Sequence, residues 1–517
     1  MGFEPEKLAV DASPAVVVST AKSQNDTETW RPLFRHPCAF GPDIFDHVMV
    51  NLIQNPNINS SWLFRADILH DATGPGACSA PSGVENMPAG PFPVFVGFEL
   101  RRCIIRRLIP RNTLRDKPMD QTCLIYETAP SSHDEHDGAS AENTLVVYLP
   151  HVTAASEMPF YHPIVRGIAF LHEWTTTAAE SSGTISISYL FFSDQDRSSD
   201  DDDDRLTRTA LRLLEVIHKH GKGRLAGYQK RVHHDQLLPQ ARVQNTYTRL
   251  KQKYARRLIE GWAESTDPEK HVFEDLCIAA FLIELWADMY GGDQQGPLFP
   301  GFVDIGCGNG LLVYILNLEG FAGWGFDARL RKSWAAYTTK LQTPAGEEVD
   351  SLRELVLLPP SVSLAGLSSE ASSFNQDRIH DGRFPKGTFI ISNHADELTP
   401  WTPIIAAISE CPFIAIPCCS HNLAGERYRA PAPKDKTKAD SAYSSLVVWV
   451  AGIARDCGWE VEEEMLRIPS TRNTALVGRK RSAPSSSVDI QAIVDQYGGT
   501  AGYLDSVIKL VASGSEH

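Results

Sequence analysis

Phe302-Val303-Asp304-Ile305-Gly306-Cys307-Gly308-Asn309-Gly310 is the stretch on which the reading of this chain turns. An apolar run ends in an acid, three glycines alternate with other residues, and the apolar run Leu311–Leu318 follows at helical spacing. The pattern is that of a strand, a tight turn and a helix start. Glycines let a backbone come within contact distance of a ligand, and a helix N-terminus offers unpaired N–H groups. A dinucleotide site has the spacing G-x-G-x-x-G, whereas the third glycine here falls one residue early. An ordinary βα turn of some other doubly wound domain is the bland alternative. Gly323-Trp324-Gly325-Phe326-Asp327 then reads as the next short strand, again ending in an acid. In doubly wound folds an acid about 20 residues past the glycines accepts from ribose hydroxyls. Asp327 arrives in that register, which favours this role over a surface acid in a loop.

The D-x-G-x-G-x-G spacing resembles motif I of class I S-adenosylmethionine-dependent methyltransferases. The resemblance implies S-adenosyl-L-methionine as cofactor. It places Asp304, Gly306, Cys307, Gly308, Asn309 and Gly310 around it, with Asp327 on the adenosine ribose.

The chain has 517 residues, 42% of them hydrophobic, enough for two domains with full cores. Its formal charge of −15 is unusual for a nucleic-acid binder, but the charge is uneven. Asp200–Asp204 sit in a Ser- and Asp-rich stretch, 194–204, that reads as a solvated flexible loop. From Arg205 to Arg257, 14 Lys and Arg face only Glu215 and Asp235, a surplus of twelve positive charges. Such a segment suits phosphates, although a pair of helices with solvated faces would look the same. The 10 cysteines are scattered, with no C-x-x-C pair, which points to free thiols in a reducing compartment, the cytoplasm. Cys418-Cys419 with His421 lacks zinc-site spacing, so no metal is expected. No apolar stretch approaches the ~20 residues of a membrane span, and no membrane role is expected.

Residues 1–235 mix strand-like runs such as Leu145–Leu149 and Ile185–Phe192 with helical ones and read as an N-terminal α+β domain. Residues 236–481 read as the methyltransferase domain, and 482–517 as a linker with a C-terminal helix. Thr266-Asp267-Pro268-Glu269 signals the start of a helix through Phe273–Met289, in which Glu274 and Asp275 read as early-helix charges favoured by the dipole. Strands at Thr388–Ser392 and Phe413–Ile416 alternate with helices at Pro400–Ile408 and Ser441–Cys457, and Glu460–Ile468 with Asn473–Gly478 form a terminal hairpin. The expected fold class is therefore α/β: a Rossmann-like, mostly parallel, doubly wound sheet with a C-terminal antiparallel hairpin, beside the α+β domain.

Ligands of open α/β sheets sit at the carboxyl ends of strands. Asp304, Asp327 and the cluster Asn393-His394-Ala395-Asp396-Glu397 occupy such ends. Asn393, Asp396 and Glu397 are the candidate catalytic residues: Asn393 to hold an acceptor oxygen, and His394, Asp396 or Glu397 to take a proton. Lys332 is a weaker candidate. Helix capping by Asp396 or Glu397 is the bland reading, and both roles are compatible.

Further blocks resemble one family in particular. Gly325–Arg329 with Arg331–Trp334, Phe273–Phe281, Asn393–Trp401, Ile416–His421 and Arg467–Asn473 are similar to blocks of the eukaryotic tRNA (uracil-2′-O)-methyltransferases. In the first half Leu108–Asn112, Gln121–Leu124 and Phe160–Pro163 are similar too. The resemblance implies 2′-O-methylation of uridine 44 in serine tRNA, a tRNA partner, and a tRNA-recognition role for the N-terminal half. Arg101, Arg102, Arg106, Arg107 and Arg111 then join the basic segment as candidate phosphate contacts. Whether an accessory RNA-binding protein takes part stays open. The competing readings are a class I methyltransferase acting on a protein or another RNA, and a non-catalytic RNA-binding scaffold. Intact Asp304, glycines and Asp327 argue against the scaffold.

Overall fold

The computed structural model describes residues 2–8, 30–74, 92–113, 115–129, 140–176, 181–192, 200–228, 234–291, 299–342, 346–362, 376–434 and 441–512. The chain divides into two compact units, Met1–Lys230 and Arg231–His517.

Among the described residues the first unit is an antiparallel sheet with two α-helices. Its strands are β1 (Glu6–Lys7), β2 (Arg31–Cys38), β3 (Leu63–Thr73), β4 (Phe98–Pro110), β5 (Met119–Thr128), β6 (Ser140–Pro150), β7 (Gly167–Thr176) and β8 (Ser181–Leu190), in the order β1-β2-β8-β7-β6-β5-β4-β3. Strand side chains alternate between faces. Cys123, Ile125, Val146, Tyr148, Ile168 and Phe170 turn to the face covered by α1 (Pro42–Gln54) and α2 (Asp200–Leu225). Leu124, Tyr126, Leu145, Val147, Ala169 and Leu171 turn to the other, where Trp30 and Phe95 pack on them. With both faces covered, Met119–Tyr126 of β5 are all buried, the polar Asp120, Gln121 and Thr122 included. Asp200–Asp204 do not form a loop: their backbone is the start of α2. Residues 194–199 of the expected loop lie outside the described residues.

The second unit begins with α3 (Gln240–Glu260) and α4 (Pro268–Tyr290), the latter capped by Asp267, whose carboxylate accepts from the backbone N–H of Glu269 and Lys270. There follow β9 (Phe302–Ile305), α5 (Leu311–Leu318), β10 (Gly323–Asp327), the short α6 (Trp334–Tyr337), a hairpin of β11 (Lys340–Gln342) and β12 (Glu348–Asp350), β13 (Leu352–Glu354), and a parallel pair of β14 (Val356–Leu357) and β15 (Ile379–His380). The remainder is β16 (Phe389–Asn393), α7 (Thr402–Ser409), β17 (Phe413–Ile416), α8 (Ala442–Asp456), β18 (Trp459–Met465), β19 (Thr474–Arg481), α9 (Ile490–Gln496) and α10 (Tyr503–Ala512). The main sheet runs β13-β10-β9-β16-β17-β19-β18. Its first five strands are parallel neighbours and the β18–β19 hairpin is antiparallel. α4 and α5 cover one face; α7 and α8 cover the other, together with α9 and α10. The C-terminal helical segment expected within 482–517 packs on this core. Val494 and Tyr503 are 0% and 1% exposed, and the Tyr503 hydroxyl donates to Leu357 O at 2.9 Å. Gly498, Gly499 and Gly502, all with positive φ, break the expected single tail helix into two. No helix among the described residues is long and apolar enough to cross a membrane.

Candidate active site

A cavity of about 850 Å³ lies past the carboxyl ends of β9, β10 and β16. Its floor is the glycine turn. Gly306, Gly308 and Gly310 have φ of +69°, +52° and +77°, a region L side chains rarely adopt. A Cβ at Gly310 would stand 2.4 Å from Leu352 Cδ1, so this glycine lets β13 close on the turn. A Cβ at Gly308 would meet nothing within 4 Å; this glycine faces the cavity. Cys307 and Asn309 turn elsewhere. The Cys307 side chain is buried in the core formed with α5, and burial pushes its thiol well up. Asn309 Oδ1 accepts from Leu311 N at 2.9 Å and so starts α5. Trp334 Nε1 donates to Gly308 O at 2.9 Å and pins the turn from behind. Asp327 Oδ2 accepts from Gly308 N at 3.1 Å, which puts the acid of β10 on the cavity floor beside the glycines.

Asp304 is 1% exposed and its Oδ1 has no hydrogen-bond partner among the described residues. Burial pushes its carboxyl well above the usual range, and the charges of Asp275 and Asp327 add to this. Asp275 and Glu274 come from α4, and both are buried. Burial, then the Glu274 charge, push the Asp275 carboxyl up to about 8, against a hydrogen bond from Asn393 Nδ2 at 3.3 Å. Four carboxyl groups thus converge where the motifs alone indicate two. Glu274 and Asp275 are more than the dipole charges that their place in the helix suggests. The signal that finds them is their position: Asp275 shares a helical stripe with Ile278, Ala279 and Leu282, all buried.

The Asn393–Glu397 cluster separates. Asn393 lies behind the cavity wall, tied to Asp275, with a buried Oδ1 left over. His394, Asp396 and Glu397 line the cavity. His394 and Asp396 hold φ of +53° and +43°, a strained conformation that costs about 1–3 kcal/mol per residue and clusters at functional sites. His394 Nε2 lies 3.2 Å from Glu274 Oε1, and its Nδ1 has no partner among the described residues. Asp396 Oδ1 accepts from Cys418 Sγ at 3.0 Å. Asp396, Cys418 and Cys419 bring their ligand atoms within 4.8 Å of one another, a grouping that the spacing of adjacent cysteines does not lead one to expect. Burial, then the neighbouring carboxylate, push the Cys418 thiol up, so it stands as a hydrogen-bond donor. Glu397 Oε1 is 3.9 Å from His421 Nε2. Lys332 is exposed and does not line the cavity.

The walls hold residues that no motif assigns to the site. Arg329, Arg331, Arg427, Arg429 and Arg472 ring the cavity, and Arg472 Nη1 donates to Cys418 O. Tyr503, Ser506 and Val507 of α10 close one side.

The model of the TRM44-like, N-terminal bet v1-like domain matches residues 8–231, and that of the predicted AdoMet-dependent methyltransferase matches 237–350. A protein of Neurospora crassa described as tRNA (uracil-O(2)-)-methyltransferase is 64% identical over 515 residues, 99% of this chain and 98% of that one. The chain belongs to the tRNA (uracil-O(2)-)-methyltransferase family. Relatives of the same description in Schizosaccharomyces pombe and Saccharomyces cerevisiae are 38% and 35% identical, covering 94% and 91% of the chain. Membership makes the chain an AdoMet-dependent enzyme, and the glycine turn with its buried acids is where its methyltransferase signature falls. The N-terminal unit, which the sequence places only as α+β, takes the bet v1-like description.

Proposed function

We propose that this chain is a Rossmann-like class I methyltransferase that forms 2′-O-methyluridine at position 44 of serine tRNA, in the cytoplasm. The observation that carries the reading is the cavity over Gly308, lined by Asp327 and His394, with His394 held by the buried Glu274. The residues fit S-adenosylmethionine. Gly308 leaves room for close approach, Asp327 suits ribose hydroxyls, and the orphaned Asp304 Oδ1 suits a charged amino group in a place where no water competes. When bound, the cofactor supplies an electrophilic methyl group on a sulfonium.

The chain's own work is alignment and proton removal. Glu274 fixes His394 through Nε2, leaving the buried Nδ1 unpaired among the described residues; that nitrogen is the one to take the 2′-hydroxyl proton as the ribose oxygen gains the methyl group. Asp396 and Glu397 flank that position, and Asn393 acts indirectly by holding Asp275. The five rim arginines suit the phosphates on either side of a nucleotide drawn into the cavity. Within the Asn393–Glu397 block, His394 therefore takes the central role, with Asp396 and Glu397 as positioning residues.

The test is methylation of purified tRNAs with labelled cofactor. Serine tRNA should accept about one methyl group, and serine tRNA carrying cytidine at position 44 should accept none. Equal labelling of both would overturn the assigned nucleotide. His394→Ala should lower kcat about 10²–10⁴-fold, the usual contribution of a general base, with unchanged cofactor affinity. An unaltered kcat would remove His394 from the mechanism.

A further inference from the structure

The basic residues that the sequence singles out mostly have protein partners. In α3, Arg242 pairs with Glu284 and Asp288, and Arg249 and Lys253 both pair with Glu319. In β4, Arg101 pairs with Asp46 and Glu127, Arg102 with Asp71, and Arg107 with Asp120. Arg106 is buried and donates to Gln121 Oε1 and to the Leu52 and Ile53 carbonyls. A different set stands out in the first unit. Arg205, Arg208 and Arg212 recur along one face of α2, and no ion pair joins them to an acid among the described residues.

These three arginines line a cavity of about 350 Å³, within the size range of small-ligand sites. Its other walls include Trp62, Phe160, Tyr148, Gln121 and His162, and among the described residues no Asp or Glu lines it, although the chain as a whole is strongly acidic. At the mouth stand Trp62 and Phe160, 44% and 46% exposed, edge to face with ring centroids 5.3 Å apart. Arg115 lies 5.4 Å from the Trp62 ring and 5.6 Å from the Phe160 ring; Arg205 lies 4.3 Å from the Phe160 ring. Guanidinium groups at these distances hold the rings in place through the ring quadrupoles. At the floor, Tyr148 is 3% exposed and its hydroxyl has no hydrogen-bond partner among the described residues; Asn59 Oδ1 is likewise buried and unpaired. A buried polar group without a partner is costly and calls for an explanation.

We propose that this cavity is a nucleotide-binding site for single-stranded RNA, which seats one unstacked nucleotide with its base against Trp62 and Phe160 and its phosphates among Arg205, Arg208 and Arg212. The inference rests on the tRNA reading above and adds a second place at which the substrate is held. Sequence-specific RNA recognition works on splayed bases, which stack on aromatic or guanidinium planes and hydrogen-bond through their edges. The exposed rings supply the stack and the acid-free rim supplies the charge. The Tyr148 hydroxyl and Asn59 Oδ1 supply a donor and an acceptor that the protein leaves unsatisfied. An apolar ligand would leave those two groups, and three cations, unpaired.

Full-length Trp62→Ala/Phe160→Ala, Arg208→Glu/Arg212→Glu and Tyr148→Phe test the site. Loss of base stacking should raise the KM for tRNA about tenfold or more, while kcat and cofactor affinity stay within about twofold. The charge-reversed variant should show a similar loss at low salt and a shallower dependence of affinity on salt. Tyr148→Phe separates binding from folding, because it removes a hydroxyl with no partner. It should leave the melting temperature unchanged or higher and still weaken tRNA binding severalfold. Unchanged KM in all three folded variants would overturn the proposal. If the wild-type chain methylates no tRNA, the functional reading fails, and binding of a single-stranded oligouridylate decides the site on its own. Binding that is lost in Trp62→Ala/Phe160→Ala supports the site; equal binding, or none by the wild type, overturns it.

Discussion

Asp275 shows how a residue's role depends on what the fold packs against it. In sequence it is an acid in the first turns of a helix; in the structure it is buried beside Glu274 with a carboxyl raised to about 8. A carboxyl that ionises at 3.8 when unfolded and near 8 when folded binds its proton more tightly in the native state. Its contribution is therefore fully present below pH 4 and is lost as pH rises toward 8. Asp275→Asn mimics the protonated form. The variant should gain melting temperature relative to wild type as pH rises from 4 to 8, with the difference level above that; thermal melts across this range check it, and a pH-independent difference would contradict the effect of burial. The glycines behave as unequally. Gly310→Ala drives a methyl into Leu352 at a positive φ and should lower stability markedly. Gly308→Ala meets no protein atom, so beyond the ~1 kcal/mol cost of its φ it should chiefly weaken cofactor binding, which calorimetry on both variants would separate. The candidate site is legible where chemistry is written in local spacing: Asp304, the glycines, Asp327 and the Asn393–Glu397 block. It is not legible where spacing is silent. Nothing local says that Asn393 turns away from the cavity, that Cys307 packs against α5, or that Glu274 reaches His394 from 120 residues earlier in the chain.

At the level of elements, the parallel strands and α5 are readable because buried parallel strands are short apolar runs between turn signals. Phe413–Ile416 and Leu311–Leu318 have the same bounds in sequence and structure. Two elements differ from their sequence reading, one expected as a solvated loop and the other as a single tail helix. Asp200–Asp204 begin α2, and the Gly-broken tail forms α9 and α10 over the second core. Ending the chain after Gly502 removes buried Tyr503 and Val507 along with one wall of the main cavity. The truncated chain should melt several degrees lower and bind cofactor more weakly. Tyr503→Ala alone should cost about 3 kcal/mol in denaturant unfolding, as is usual for a large buried aromatic. α3 carries the same lesson in charge. Burial pushes the Glu319 carboxyl up, but hydrogen bonds from Tyr254, Lys253 and Arg249 outweigh it and hold it below the usual range. Reversing charge at Arg249 and Lys253 should therefore lower stability, a change that RNA contact alone would not cause.

On the scale of the whole molecule, a chain of net charge −15 can hold RNA only if its cations are concentrated and free of acidic partners. Composition points to a basic segment between residues 205 and 257, but that segment divides between the two units, and much of its second half serves ion pairs within its own unit. Among the described residues two arginine-rich surfaces remain, the α2 face in the first unit and the rim of the main cavity in the second, where Arg331 lies 4.0 Å from Asp327. Binding of tRNA should accordingly weaken steeply with salt, by roughly one unit of log–log slope for each phosphate neutralised. Charge reversal on either surface should lower that slope, whereas reversal at the exposed Arg256, paired with Glu260, should leave it unchanged.

The most direct measurement is the chemical position of the transferred methyl group. The full chain is incubated with tRNA and methyl-labelled S-adenosylmethionine, and the product is digested with alkali and, separately, to nucleosides. A methyl on the ribose 2′-oxygen blocks alkaline cleavage at that linkage. Ribose methylation at the Asp304–His394 site predicts label in an alkali-resistant dinucleotide that yields 2′-O-methyluridine, abolished by Asp304→Asn and sharply reduced by His394→Ala. Label on a base or on the protein, or undiminished labelling by a folded Asp304→Asn variant, would contradict it.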